Sequence, residues 1–263
     1  MSTTETHGPV KLERDGPLAV ITLDAPPLNL FDQAMFDGLR QAVDAVAADH
    51  PRALLINAEG RVVSGGVDVH TFEDLTPETG GQLWDDLLEM IHTVEDLPLP
   101  TVFAAHALCL TAAFELSLAC DLLLAAEKAK FGLVEIVVGL TPSMGGPQRL
   151  SERAGPARAR ELVYTGELYD AATLERWNVV NRVLPDEGFA EAARAFARKL
   201  ADGPTLAHAA TKRLVRTQVE GSARGADGVV AEVSGPLFAS EDLKGAVKSF
   251  LADGPGKATY QGR

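Results

Sequence analysis

The sequence has little cysteine and little positive charge, and each shortage excludes a class of protein. Only Cys109 and Cys120 are present, eleven positions apart in an apolar stretch, with no Cys-x-x-Cys and no histidine at metal-ligand spacing. A disulfide scaffold is excluded, and the pair reads as reduced core thiols of a cytoplasmic protein. Lys and Arg number 24 against 37 Asp and Glu, a net charge of −13 without any basic stripe. Nucleic acid and anionic membrane surfaces are therefore not expected partners. A charge-free run over residues 97–114 reaches the length of a membrane span, but Pro98 and Pro100 break its start, His106 interrupts it, and Glu115 and Asp121 follow closely. It reads as a buried strand, a turn and a buried helix. Residues 1–16 lack the basic start and apolar run of an export signal and read as a loose arm.

Several catalytic signatures are missing too. There is no Walker loop, G-x-G-x-x-G, His-Glu-x-x-His or Cys/His metal spacing, so nucleotide hydrolysis, hydride transfer and zinc hydrolysis have no support. Ser64 lies near Asp68 and His70, yet no Gly-x-Ser-x-Gly elbow surrounds it, and the three read as a solvated loop rather than a triad.

What is present is an ordinary globular composition: 263 residues, 46% hydrophobic and 23% charged, enough for one large domain or two small ones. Short β-branched or apolar runs bounded by Gly and Pro predict strands at 18–23, 53–57, 101–105 and 121–125. Between them, Phe36, Leu39, Val43 and Val46 behind an Asp32 cap, and Leu83, Leu87, Ile91 and Val94, recur at helical spacing. The alternation predicts an α/β layer with parallel strands. From residue 156 the pattern is mostly helical, interrupted by a short predicted strand at 179–184. A helix stop at 200–204 divides the chain into a core over 1–200 and a helical region over 201–263.

Glu115 and Glu135 each stand alone in apolar sequence. A carboxylate there is costly unless paired, hydrogen-bonded or protonated. Either each faces solvent or an arginine at a helix end, or the two converge on one pocket, where unequal environments would supply one acid and one base.

The segments Pro100-Thr-Val-Phe-Ala-Ala-His-Ala-Leu-Cys-Leu-Thr-Ala-Ala-Phe-Glu-Leu-Ser-Leu-Ala-Cys-Asp121, Ala129-Lys-Phe-Gly-Leu-Val-Glu135 and Gly139-Leu-Thr-Pro-Ser-Met-Gly-Gly-Pro-Gln-Arg-Leu150 resemble, in order and spacing, the signature of the enoyl-CoA hydratase/isomerase (crotonase) family. The likeness extends to Ser64-Gly-Gly-Val-Asp68, Leu162-Val-Tyr-Thr-Gly166, Val179-Val-Asn-Arg-Val183 and Ser240-Glu-Asp-Leu-Lys-Gly-Ala-Val-Lys-Ser-Phe250, nearly the whole chain. It implies a crotonase (ClpP-like) spiral of ββα turns, followed by a helical C-terminal region that builds trimers or hexamers. Glu115 and Glu135 fall on the family's catalytic glutamates, and Val67 and Ala112 on the two backbone N–H donors of its oxyanion hole. Gly65, Gly66, Asp68 and Ser143 fall on substrate and coenzyme A contacts.

The implied reaction is hydration of a 2-enoyl-CoA to a 3-hydroxyacyl-CoA, with no metal or redox cofactor and coenzyme A carried in by the substrate. Isomerisation, decarboxylation or carbon–carbon cleavage through the same enolate, and non-catalytic acyl-CoA binding, are the alternatives. Where the family has Ala-Leu-Gly-Gly-Gly-Cys-Glu, this chain has Cys109-Leu-Thr-Ala-Ala-Phe-Glu115, so three added Cβ atoms are expected to crowd the site. His106 and His70 are read as a turn or core histidine and a loop histidine, either of which could touch substrate.

Overall fold

The computed structural model describes residues 2–263. Three strands, β1 (Thr3–His7), β2 (Val10–Asp15) and β3 (Leu18–Leu23), form an antiparallel meander. Helix α1 (Gln33–Asp49) leads to β4 (Ala53–Ala58), and α2 (Pro77–Asp96) leads to β5 (Thr101–Ala105). A short β6 (Cys109–Leu110) and α3 (Ala112–Ala119) lead to β7 (Leu122–Ala126). Then come β8 (Lys130–Gly132), α4 (Gly146–Ala154), α5 (Pro156–Thr165), β9 (Tyr169–Asp170), α6 (Ala171–Arg176) and β10 (Arg182–Leu184). Four helices finish the chain: α7 (Phe189–Ala201), α8 (Thr205–Glu220), α9 (Ala223–Ser234) and α10 (Glu241–Asp253).

The main sheet runs β1-β2-β3-β4-β5-β7-β10, with every pair from β3 onward parallel; β6, β8 and β9 form a second small sheet. Parallel strands need both faces covered, and the alternation of side chains divides each strand between two layers. Ala19, Ile21 and Leu23 face the large core under α1 to α4, while Leu18 and Val20 join Ala53, Leu55, Val102, Ala104 and Leu124 beneath Phe189, Ala193, Ala197 and Ala201 of α7. Asp32 accepts from the Met35 N–H and starts α1, as its sequence position predicts.

Two expectations need correction. Residues 3–15 are not a loose arm but a paired hairpin, registered from Thr3↔Arg14 to His7↔Val10. Val10 and Leu12 are fully buried while Lys11 between them and Glu13 after them are only half-buried, a period-two pattern hidden among charges. The predicted strand at 179–184 pairs only over Arg182–Leu184, because Val179 and Val180 instead donate their N–H groups to the Leu174 carbonyl and pack in the core.

Helix α3 lies wholly inside the protein, every residue buried, with Phe114 against Phe131 at 5.1 Å between ring centroids. Among the described residues no helix is long and apolar enough to cross a membrane. The uncharged run over 97–114 resolves into β5, a turn, β6 and the first turn of α3, as its breaks predict.

Candidate active site

Glu115, on the first turn of α3, is 2% exposed. Its Oε1 accepts the backbone N–H groups of Met144 at 2.9 Å and Gly146 at 2.8 Å. Gly146 has to be glycine, since a Cβ there would sit 2.9 Å from both Glu115 Cγ and Oε1. Arg149 braces this turn: Nη1 donates to the Gly145 carbonyl at 3.2 Å, while Nε at 2.6 Å and Nη2 grip the Glu95 carboxylate.

Glu135 opens a 3₁₀ turn over Glu135–Val138, and its Oε2 is buried without a protein partner. Both glutamates line one cavity of about 220 Å³, walled by Phe36, Phe72, Trp84 and Met144. Of the two readings left open by the sequence, convergence is the one realised. Burial, then the charge of Glu135, pushes the Glu115 carboxyl up to about 8, against two N–H bonds that pull it down. Burial pushes Glu135 up to about 7. Their repulsion is reciprocal, so ionisation of either raises the other, and around neutral pH the pair shares a proton.

Gly65, Gly66, Val67 and Ser143 line the same cavity. Phe31 N–H donates to the Gly66 carbonyl at 2.9 Å and Asp68 N–H to the Phe31 carbonyl at 3.0 Å; the Val67 N–H between them has no acceptor among the described residues. Ala112 is the first residue of α3, where the N–H has no partner within the helix, and it too donates to nothing among the described residues. Asp68 lies outside the lining and accepts from the His70 N–H at 3.1 Å, capping the short turn Val69–Phe72. The Ser143 hydroxyl donates to the Thr141 carbonyl at 2.9 Å.

Neither histidine joins this set. His106 meets the Gly60 carbonyl at 3.1 Å, with its pKa lowered by burial, and exposed His70 pairs with Glu73, which raises its pKa. Cys109 and Cys120 are free and fully buried, and burial pushes the Cys120 thiol up to about 12. The expected crowding is confined to one position. Ala112, Ala113 and Phe114 direct no side chain into the cavity and belong to the core; only Thr111 lines it. Sequence reasoning missed the aromatic walls and the Met144 and Gly146 donors, because backbone N–H groups carry no residue-type signal.

The parallel-stranded core, carrying two glutamates into one cavity, has the fold of the crotonase class. The family model described as enoyl-CoA hydratase/isomerase matches residues 13–257. A protein named "probable enoyl-CoA hydratase" from Bacillus subtilis (strain 168) is 31% identical over 245 residues, covering 92% of this chain and 95% of that relative. Another of that name from Rhizobium meliloti (strain 1021) is 33% identical over 245 residues, covering 92% and 94%. A crystal structure of an enoyl-CoA hydratase from Geobacillus kaustophilus HTA426 matches all of both chains with a TM-score of 0.94 at 24% identity, a likeness of fold. The chain belongs to the enoyl-CoA hydratase/isomerase family.

Proposed function

We propose that this enzyme hydrates a 2-enoyl-CoA thioester to the 3-hydroxyacyl-CoA. The observation that carries the reading is the pair of glutamates, Glu115 buried and Glu135 half-buried, with raised pKa values in the cavity that Val67 also lines. Glu115 in its ionised form takes a proton from water as the water oxygen bonds to C3. The π electrons move onto the thioester oxygen, and the Val67 and Ala112 N–H groups stabilise the enolate. Glu135 then gives its proton to C2, and exchange through solvent resets the pair. Deeper burial favours the shared proton on Glu115; the two N–H donors on its Oε1 favour the proton on Glu135. At rest burial outweighs those donors, with Glu115 pushed up to about 8 and Glu135 to about 7, so the reactive form is the less populated one with the proton on Glu135, which the two donors keep within reach. The addition of water involves no net redox change and so calls for no redox cofactor; the two carboxylates and the N–H donors are read as supplying the proton transfer and charge stabilisation without a metal, and coenzyme A enters with the substrate.

We further read Gly65, Gly66, Ser143 and the nearby Asp68 turn as the thioester and coenzyme A contacts. The region over 201–263 is read as the part that assembles three or six copies, and the reduced core thiols fit a cytoplasmic enzyme. Turnover of a panel of 2-enoyl-CoA thioesters of graded length tests the reading, with C2 hydrogen exchange of a saturated acyl-CoA in deuterated water measured alongside. Hydration with exchange supports it. Exchange with conversion of a 3-enoyl-CoA and no hydration assigns an isomerase instead, and thioester binding without either reaction assigns a non-catalytic binder.

A further inference from the structure

Thr111 carries three features that together have no structural use. It sits at φ 47°, ψ −121°, a left-handed conformation in which a β-branched side chain is strained and glycine is not. The residue is 6% exposed, and its Oγ1 is buried with no hydrogen-bond partner. The hydroxyls of three other buried residues are satisfied: Ser64 donates to the Asn29 carbonyl at 2.7 Å, Ser117 to the Phe114 carbonyl at 2.7 Å, and Thr101 to Asp121 at 2.9 Å. The Tyr169 hydroxyl shares the orphaned state of Thr111 but lies outside the cavity lining. Thr111 also occupies the cap position of α3 without capping it, although threonine there ordinarily accepts from the helix's first N–H groups. Glycine at 111 would remove both the strain and the orphaned hydroxyl.

The hydroxyl's position supplies what it lacks. Thr111 lines the cavity with Glu115, Glu135 and Val67. Its Oγ1 would lie 2.9 Å from a Cβ at Gly66, so the bare Cα of Gly66 is what leaves it room. Gly66 immediately precedes Val67, and Thr111 immediately precedes Ala112. The hydroxyl is thus adjacent in the chain to one acceptor-free N–H and packed against the residue preceding the other.

We infer that Thr111 Oγ1–H is a third, side-chain donor to the thioester oxygen, joining the Val67 and Ala112 N–H groups. The inference rests on the function proposed above. A carbonyl oxygen offers two lone pairs and is filled by two N–H donors, whereas an enolate oxygen offers three. The hydroxyl is therefore engaged most strongly as charge develops, and it acts on kcat more than on KM.

The test compares T111V, which keeps shape and strain but loses the hydroxyl, with T111S, which keeps the hydroxyl, and T111G, which relieves the strain. Three readouts are taken: kcat and KM on an enoyl-CoA, C2 hydrogen exchange, and the infrared carbonyl stretch of a bound saturated acyl-CoA. T111V and T111G are expected to lose roughly 10- to 100-fold in kcat and exchange, at or below the loss typical of one oxyanion-hole donor. KM should change little, the carbonyl stretch should move to higher frequency, and T111S should recover most of the difference. T111G should melt higher than wild type despite its lower activity. Equal or greater activity in T111V or T111G overturns the inference while leaving the hydratase reading intact. If wild type neither hydrates nor exchanges any thioester, that reading fails, and the carbonyl stretch still decides the hydroxyl: an unchanged frequency in T111V, or no thioester binding at all, overturns it.

Discussion

Replacing Glu115 with glutamine should make the protein less active and, at alkaline pH, more stable. An unfolded glutamate ionises near its ordinary 4.5, whereas folded Glu115 holds its proton up to about 8, chiefly through burial. Between those values the native state binds more protons than the unfolded state, so stability falls as pH rises; it is fully present below 4.5 and lost through 8. At about 1.36 kcal/mol per pH unit, Glu115 costs the fold about 3 kcal/mol at pH 7 and about 5 kcal/mol at pH 9. The carboxamide introduced by E115Q keeps an oxygen to accept from Met144 and Gly146 and carries no charge, so the variant escapes this loss. Urea unfolding of both proteins at pH 5, 7 and 9, at one protomer concentration, should give curves that coincide near pH 5 and diverge by several kcal/mol at pH 9. Parallel pH dependences for the two proteins would refute the claim that a buried charge at Glu115 is the source.

E115Q and E135Q should each lower kcat by about 10²- to 10⁴-fold, and the double variant little further, because the two act as one unit. Activity of the wild type should be bell-shaped in pH, with limbs near 7 and 8, since the pair works while it shares one proton; a flat profile across that range contradicts the shared proton. Gly146→Ala would put a Cβ 2.9 Å from Glu115 Cγ and Oε1, and should lower kcat by at least tenfold (~1.4 kcal/mol) through a displaced carboxylate, leaving KM less affected. Phe238 (75% exposed) in the turn before α10, and Phe250 (60%) and Leu251 (80%) on α10, leave apolar surface that an isolated chain does not cover; with the assembly proposed above, light scattering should return the mass of three or six chains. A stable monomer contradicts that assembly, and F250E should weaken it.

The parallel core was legible because strands buried on both faces read as uninterrupted apolar runs between Gly and Pro. The N-terminal hairpin was not, since Lys11, Glu13 and Arg14 mask the two positions, Val10 and Leu12, that carry its burial. In the site, Glu115 announced itself as the one charge in an apolar helix. What holds it did not, because its partners are main-chain donors 29 and 31 residues onward. Val67 and Ala112 entered through family likeness alone; their side chains give no sign of a free N–H. Thr111 drew attention as a departure from a glycine run, but the run suggested three crowding side chains where folding presents only one to the cavity.

The other two replacements bear on how that one is tolerated. Ala112 and Ala113 form the first turn of α3 and fill core volume that glycine would leave empty. Alanine favours a helix over glycine by up to about 1 kcal/mol per residue, so the pair contributes at most about 2 kcal/mol to the helix that carries Glu115. Strain at a non-glycine residue in Thr111's conformation costs about 1–3 kcal/mol. The two magnitudes are comparable. A chain that acquired the alanines without the threonine would gain stability and keep the two N–H donors. Retaining the threonine forgoes that gain, which is the pattern expected when its hydroxyl serves a ligand rather than the fold.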